Sequence, residues 1–294
     1  MKLYRALIPS RSSWVHLRFL FSFFLMPIFL FALSQVPQVN VSNAILTFFI
    51  WHVLVYPASN GYNSYFDKDE KSIALVENPP PVDRSLYNFS LFLDVLAVCL
   101  AFLVGLEFVV AVLLYGTFSK LYSHPSTRLK KYPIISFLIV FIFQGACIYW
   151  SSYAGISGLS ILSGWNTNFI MAGLICSCLI GASYPLTQVY QHEEDGKRGD
   201  ITLSMILGVR GSFGFAAVLF ALATVLLSIY WTNMRQLVNF WLFLPFALPV
   251  FAVFVNWFIH IWHDEKEANF KNMTQMTLIS GMLMLLYFGL LNFI

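Results

Sequence analysis

Nine apolar stretches, each long enough to cross roughly 30 Å of hydrocarbon, recur along this chain and constrain what it can fold into. They run over 17–36, 42–60, 86–104, 106–122, 133–152, 167–190, 210–231, 237–261 and 275–293. Backbone N–H and C=O groups find no water in lipid, so each stretch must satisfy its own hydrogen bonds as a helix. The expected fold class is all-α: a polytopic transmembrane helix bundle of about nine spans, an integral multi-pass protein solvated by the lipid bilayer. Composition agrees, with 59% of the 294 residues hydrophobic and 11% charged, about half the charge of a soluble domain. A net charge of +3 without a dense basic tract gives no reason to expect a nucleic-acid partner. Cys99, Cys147, Cys176 and Cys178 all sit in apolar runs, as small hydrophobes rather than a disulfide or zinc framework.

The first stretch follows Lys2, Arg5 and Arg11, which resembles a signal peptide. Its apolar run is long and Ala32-Leu33-Ser34 is a weak cleavage site, so a retained helix is expected. Lys and Arg gather before the first span and in 68–84, 120–131, 197–210 and 266–271, while Arg235 falls opposite. With nine spans these clusters share one face. The positive-inside rule then puts the N-terminus and the charged loops in the cytoplasm, and the cell (inner) membrane is the expected location.

Internal comparison gives the most specific signal. Residues 56–67 read YPASNGYNSYFD and residues 184–195 read YPLTQVYQHEED. Both fit Tyr-Pro-x-(Ser/Thr)-(Asn/Gln)-x-Tyr-(Asn/Gln)-x-x-x-Asp without a gap, at the ends of the second and sixth spans. The expected organisation is a single membrane domain over 1–294, duplicated as pseudo-repeats of roughly 14–132 and 133–261, with an extra C-terminal helix over 275–293. Tyr56, Asn60, Asn63 and Asp67 are spaced four, three and four residues apart, which places them on one helix face, with His52 a turn deeper. The same spacing predicts a helical stripe of Tyr184, Gln188, Gln191 and Asp195. Such a stripe at one helix end can be interfacial solvation or helix–helix glue; two gapless copies favour a working site.

Asp69 and Glu70 follow the first copy, and Glu193, Glu194 and Asp200 surround the second, with Lys68, Lys71, Lys197 and Arg198 interleaved. Carboxylates and amide oxygens suit Mg²⁺, which is commonly held by one or two carboxylates plus substrate phosphates. Lys and Arg suit the remaining phosphate oxygens. Acid mixed with base at a membrane surface points to a phosphorylated, lipid-like substrate.

These residues resemble the UbiA superfamily of membrane prenyltransferases, whose members carry two Asp-rich motifs after the second and sixth helices. The first matches as Asn63-Ser64-Tyr65-Phe66-Asp67, with Lys71 where a third acid is usual. The second matches as Gln191-x-x-x-Asp195-x-x-x-Gly199, followed by Thr202-Leu203. The run Tyr122-Ser123-His124-Pro125-Ser126-Thr127-Arg128-Leu129-Lys130 is similar to the loop after the fourth helix in two branches of that family. Ser64, Lys71 and Gln191 depart from the pattern, each replacing an expected Asp.

The resemblance implies a prenyl diphosphate donor, Mg²⁺ as cofactor and a small acceptor, with Asp67 and Asp195 as the catalytic acids. It implies metal ligation by Asn63, Asp67, Glu70, Glu194 and Asp195, and substrate contacts from Asn60, Asn63, Gln188, Gln191, Tyr122, Arg128, Lys130, Lys131, Lys197 and Arg198. Tyr56, Tyr62, Tyr184 and Tyr190 are candidates for stabilising an allylic cation through their ring faces. Outside the motifs, Asp94 either orients an acceptor or bonds a neighbouring helix. Glu107 is expected at the outer interface, and His260 and His263 at the end of the eighth span. A transporter or channel, or a prenyl-lipid-binding relative without turnover, are the competing readings.

Overall fold

A computed structural model describes residues 8–68 and 70–294; Lys2, Arg5 and Asp69, singled out above, lie outside the described residues. The fold is all-α. Among the described residues nine helices are long and apolar enough to cross a membrane: Arg11–Gln35, Val41–Asp67, Arg84–Ala101, Leu106–Ser123, Pro133–Ser157, Thr167–Thr187, Leu203–Asn233, Leu237–His263 and Phe270–Leu290. Each coincides with an expected stretch. Polar residues set where several of them start: Asn40, Asp83, Asn166, Thr202 and Asn269 each accept a backbone N–H from the first turn that follows, satisfying donors that a helix start leaves open.

The chain divides into two compact units. The first gathers residues up to Met26, Val36–Leu129 and Ser151–Ser160; the second gathers Pro27–Gln35, Lys130–Trp150 and Ile161–Ile294. The first and fifth spans thus contribute to both.

In the first unit the second span is π-helical over Ile50–Val55 and then α-helical over Tyr56–Asp67. Gly61 is the close-approach position. A Cβ there would meet Ser90 Oγ at 2.4 Å and Leu17 and Leu86 at 3.0 Å, so only a residue without a side chain lets these helices touch. Asp94 and Lys120 form a 2.5 Å ion pair between the third and fourth spans. Asp94 therefore bonds a neighbouring helix, one of its two expected roles.

In the second unit the fifth span carries a π-helical turn over Phe141–Ala146. Such a turn interrupts the i→i−4 ladder, and in lipid the freed groups need partners. Ser177 on the sixth span supplies both: its hydroxyl donates to Phe141 O at 2.6 Å and accepts from Ala146 N at 3.0 Å. Gly145 permits this approach, since a Cβ would sit 2.4 Å from Ser177 Cα. Elsewhere in the unit, Phe31 packs against Tyr149, Tyr230, Trp231 and Phe288. Trp231 Nε1 donates to the Tyr287 hydroxyl at 2.9 Å, which donates in turn to Asn239 O at 3.1 Å, so these buried polar tips are satisfied.

Candidate active site

The first motif stands on a continuous helix, as its spacing predicts. The end of the second span runs alongside the end of the fourth and the loop that follows it, with contacts recurring along its length. Ser59 and Ser119 share a 2.6 Å hydrogen bond, Asn63 Nδ2 donates to Ser123 Oγ at 3.0 Å, and the Phe66 ring meets His124 at 5.3 Å. The ladder ends with Asp67 facing Arg128, whose Nη2 lies 3.9 Å from Oδ1. The Asp67 side chain is only 6% exposed, so a buried carboxylate confronts a guanidinium at the helix end. Lys68, next to Asp67, and Arg128 itself both adopt positive φ, 51° and 40°. Non-glycine residues reach that region only where surrounding structure holds them, and such strain concentrates at functional sites.

The other first-motif residues have local work. Asn60 Nδ2 donates to Leu17 O at 3.3 Å, and Arg18 Nη2 donates to Asn60 O at 3.4 Å, which braces a break in the first span where Arg18 takes φ 47°. His52 is buried and stacks on Phe48 at 4.7 Å. Ser64, at the position of a family Asp, is fully buried. Glu70 is exposed, and Tyr122 is half-buried. Tyr56 and Tyr62 are buried, with Lys120 Nζ 4.9 Å from the Tyr62 ring centroid.

The second motif corrects the expected helical stripe. The helix stops at Ser183, Pro185–Thr187 forms a single 3₁₀ turn, and helix resumes only over His192–Lys197. Tyr184, Gln188, Gln191 and Asp195 therefore do not lie on one continuous helix face. The cause is local: Pro185 lacks the N–H needed to continue the ladder, whereas Pro57 directly follows the π-helical turn Ile50–Val55, where the i→i−4 ladder is already interrupted and the helix runs on to Asp67. Gln188 is buried, and its Oε1 accepts from Ser204 N at 3.3 Å. His192 Nε2 and Ser204 Oγ share a 2.6 Å hydrogen bond. Burial lowers the His192 pKa below its ordinary value, opposed by the charge of Glu265. The broken motif is thereby pinned to the start of the seventh span.

The short helix ends in a Schellman motif. Gly199 takes φ 74°, Gly199 N donates to Gly196 O at 3.1 Å, and Asp200 N donates to Asp195 O at 3.0 Å. This turn folds Asp200 back beside Asp195. Arg198 Nη2 donates to Asp195 Oδ1 at 2.9 Å, and Arg198 Nη1 is 3.8 Å from Glu194 Oε1. Lys130 Nζ lies 3.6 Å from Asp200 Oδ2. Burial pushes the Asp195 carboxyl above the usual range; the hydrogen bond and charge of Arg198 and the charge of Lys130 pull it down, and Asp200 pushes it up.

Of the expected residues, the second unit thus brings together Lys130, Glu194, Asp195 and Arg198, with half-buried Gln191 one turn before Asp195. Lys131 is exposed over the Tyr132 ring at 5.0 Å, and Lys197 is 68% exposed and paired with Glu193 at 2.8 Å. Asp200, named in the sequence only as one of the acids surrounding the second motif and given no role there, joins this cluster. Its signal was the glycine before it, which marks a helix C-terminus that folds the next residue back.

Among the described residues no three His, Cys, Asp or Glu side chains are grouped to hold a metal. One buried carboxylate per motif, Asp67 and Asp195, would suit a Mg²⁺ held by few protein ligands together with substrate phosphates, rather than a cage made of protein alone.

A model of the UbiA prenyltransferase family matches residues 21–281. Among solved structures, a UbiA homolog from Archaeoglobus fulgidus bound to DMAPP and Mg²⁺ aligns with TM-score 0.70 at 16% identity, covering 96% of this chain and 99% of that one. The same homolog bound to GPP and Mg²⁺ gives 0.69 at 17% identity over 96% and 100%. A structure described under digeranylgeranylglyceryl phosphate synthase gives 0.63 at 17% identity over 97% and 99%. A search of curated proteins returns no match.

Proposed function

This chain belongs to the UbiA prenyltransferase family, and from that premise we propose that it moves a polyprenyl group from a prenyl diphosphate to an aromatic or other small acceptor. The observation that carries the reading is the pairing of a buried carboxylate with a guanidinium in each motif, Asp67 with Arg128 and Asp195 with Arg198. A carboxylate suits a divalent cation and a guanidinium suits phosphate oxygens, so each pair holds both chemistries that a Mg–diphosphate needs. Structures of a family homolog bound to GPP or DMAPP with Mg²⁺ support the donor class.

In this reading Asp67, with Asn63 and Glu70, and Asp195, with Glu194, would each offer oxygen ligands to Mg²⁺. When bound, Mg²⁺ would stabilise the charge that develops on the departing diphosphate. Arg128, Lys130 and Arg198 offer charged donors for the diphosphate oxygens. Asn60 and Gln188 keep the motif ends in place, and Gln191, Tyr122, Lys131 and Lys197 are outer contacts. The prenyl tail partitions among apolar spans, where each buried CH₂ contributes about 0.8 kcal/mol. The charged loops are assigned to the cytoplasm on the positive-inside rule.

A transport reading is disfavoured, because transport sites sit near the bilayer midplane and both acids lie beyond the apolar parts of their spans. The replacement of family acids by Ser64, Lys71 and Gln191 favours one second reading, a relative that binds prenyl diphosphate without turnover. Purified protein given geranylgeranyl diphosphate, Mg²⁺ and a panel of phenolic, quinone-precursor and lipid-alcohol acceptors separates the two. The expected result is diphosphate release that EDTA abolishes and added Mg²⁺ restores. Tight binding with no release for any acceptor would leave the second reading standing in place of the first.

A further inference from the structure

Lys130 and Asp200 form a buried ion pair that the reaction outlined above does not explain. The Lys130 side chain is 10% exposed and the Asp200 side chain 2%, with Nζ and Oδ2 3.6 Å apart. Lysine carries its charge on a flexible four-carbon stem, so a buried ammonium stays in one place only if an anion holds it. The loop after the fourth span sorts its cations by position: Arg128 faces Asp67 in the first unit, and Lys130, two residues on, faces Asp200 in the second. Asp200 reaches that place through the Schellman turn at Gly199, which bonds its N–H to Asp195 O. The Lys130 charge also acts on the neighbouring Asp195.

We infer that Asp200 is a positioning residue: it holds the Lys130 ammonium beside the second motif, ready for diphosphate oxygens, and prevents it from collapsing onto Asp195. The inference rests on the proposed prenyl diphosphate donor. Without Asp200, the Lys130 charge would be drawn toward Asp195, the neighbouring carboxylate on which it already acts. Lys130 would then neutralise the acid meant for the metal and be withdrawn from the phosphate.

The test measures steady-state turnover and direct binding of geranylgeranyl diphosphate, with and without Mg²⁺, on the full chain in detergent. Asp200→Asn is expected to raise KM and Kd for the diphosphate at least about tenfold while kcat at saturation falls less than about threefold, the pattern of lost binding rather than lost chemistry. Asp200→Glu should recover part of the affinity, which a general packing defect would not allow. Lys130→Gln should weaken binding as Asp200→Asn does, and adding Asp200→Asn to it should change Kd by less than about twofold, because the two act as one unit. That double variant has no unpaired buried charge, so it keeps the test open if Asp200→Asn alone fails to fold.

Unchanged KM and Kd in folded Asp200→Asn would overturn the inference while leaving the prenyltransferase reading intact. So would independent, multiplying effects of the two substitutions. A raised Mg²⁺ requirement with unchanged metal-free diphosphate affinity would make Asp200 a metal ligand instead. Wild-type protein that binds no prenyl diphosphate would remove the proposed function and this inference together.

Discussion

Ser64 and Gln191 show how unequal two replacements of the same family residue are. Both stand where the resembling motifs carry Asp, and their spacing alone treats them alike. Ser64 is fully buried on the second span, while Gln191 is half-buried in a turn. An acid at position 64 would be a charge enclosed by packing, at a cost on the order of 2 kcal/mol or more. Ser64→Asp is therefore expected to lower the melting temperature in detergent and not to strengthen Mg²⁺ binding. Gln191→Asp should leave the melting temperature nearly unchanged and tighten Mg²⁺ in the presence of prenyl diphosphate. Equal melting temperatures for both variants would show that the burial of Ser64 does not decide what it tolerates. Asp67 and Asp195 were legible in sequence because they end a repeated pattern. The burial that separates Ser64 from Gln191 depends on neighbours far along the chain and was not.

At the scale of elements, span placement was readable almost throughout, since the length of an apolar run and the need for internal hydrogen bonding leave few alternatives. The internal geometry was less so. The π-helical turns at Ile50–Val55 and Phe141–Ala146 leave no mark in an apolar sequence, because their freed groups are met by residues such as Ser177 on another helix. The two Tyr-Pro motifs share a pattern but fold differently, since the helix runs on through Pro57 after a π-helical turn and stops before Pro185. The duplication thus stands as a proposal about sequence and not about identical local structure.

The turn that closes the second motif depends on Gly199 at φ 74°, where a Cβ would meet open space. The penalty for a side chain is purely conformational, about 1–2 kcal/mol. Gly199→Asn should retain most diphosphate affinity, Gly199→Ala should lose severalfold, and Gly199→Val should lose more. Equal affinity in all three would mean that the left-handed turn does not place Asp200.

For the whole molecule, the division into two units places one acidic motif in each: Asp67 with Arg128 in the first, Asp195 with Arg198, Lys130 and Asp200 in the second. Composition and charge pattern reached the membrane class, and the motif order reached the family. The acceptor was beyond them, because an acceptor pocket is assembled from scattered apolar and aromatic side chains and leaves no short motif. The central claim is that both motifs serve one reaction. It is tested most directly by diphosphate release from geranylgeranyl diphosphate in Asp67→Ala, Asp195→Ala and the double variant. Each single change should reduce release at least about a hundredfold, the scale of losing a major electrostatic stabiliser. The double should fall little further, as residues acting together do. Turnover at the wild-type rate in either single variant would contradict the account.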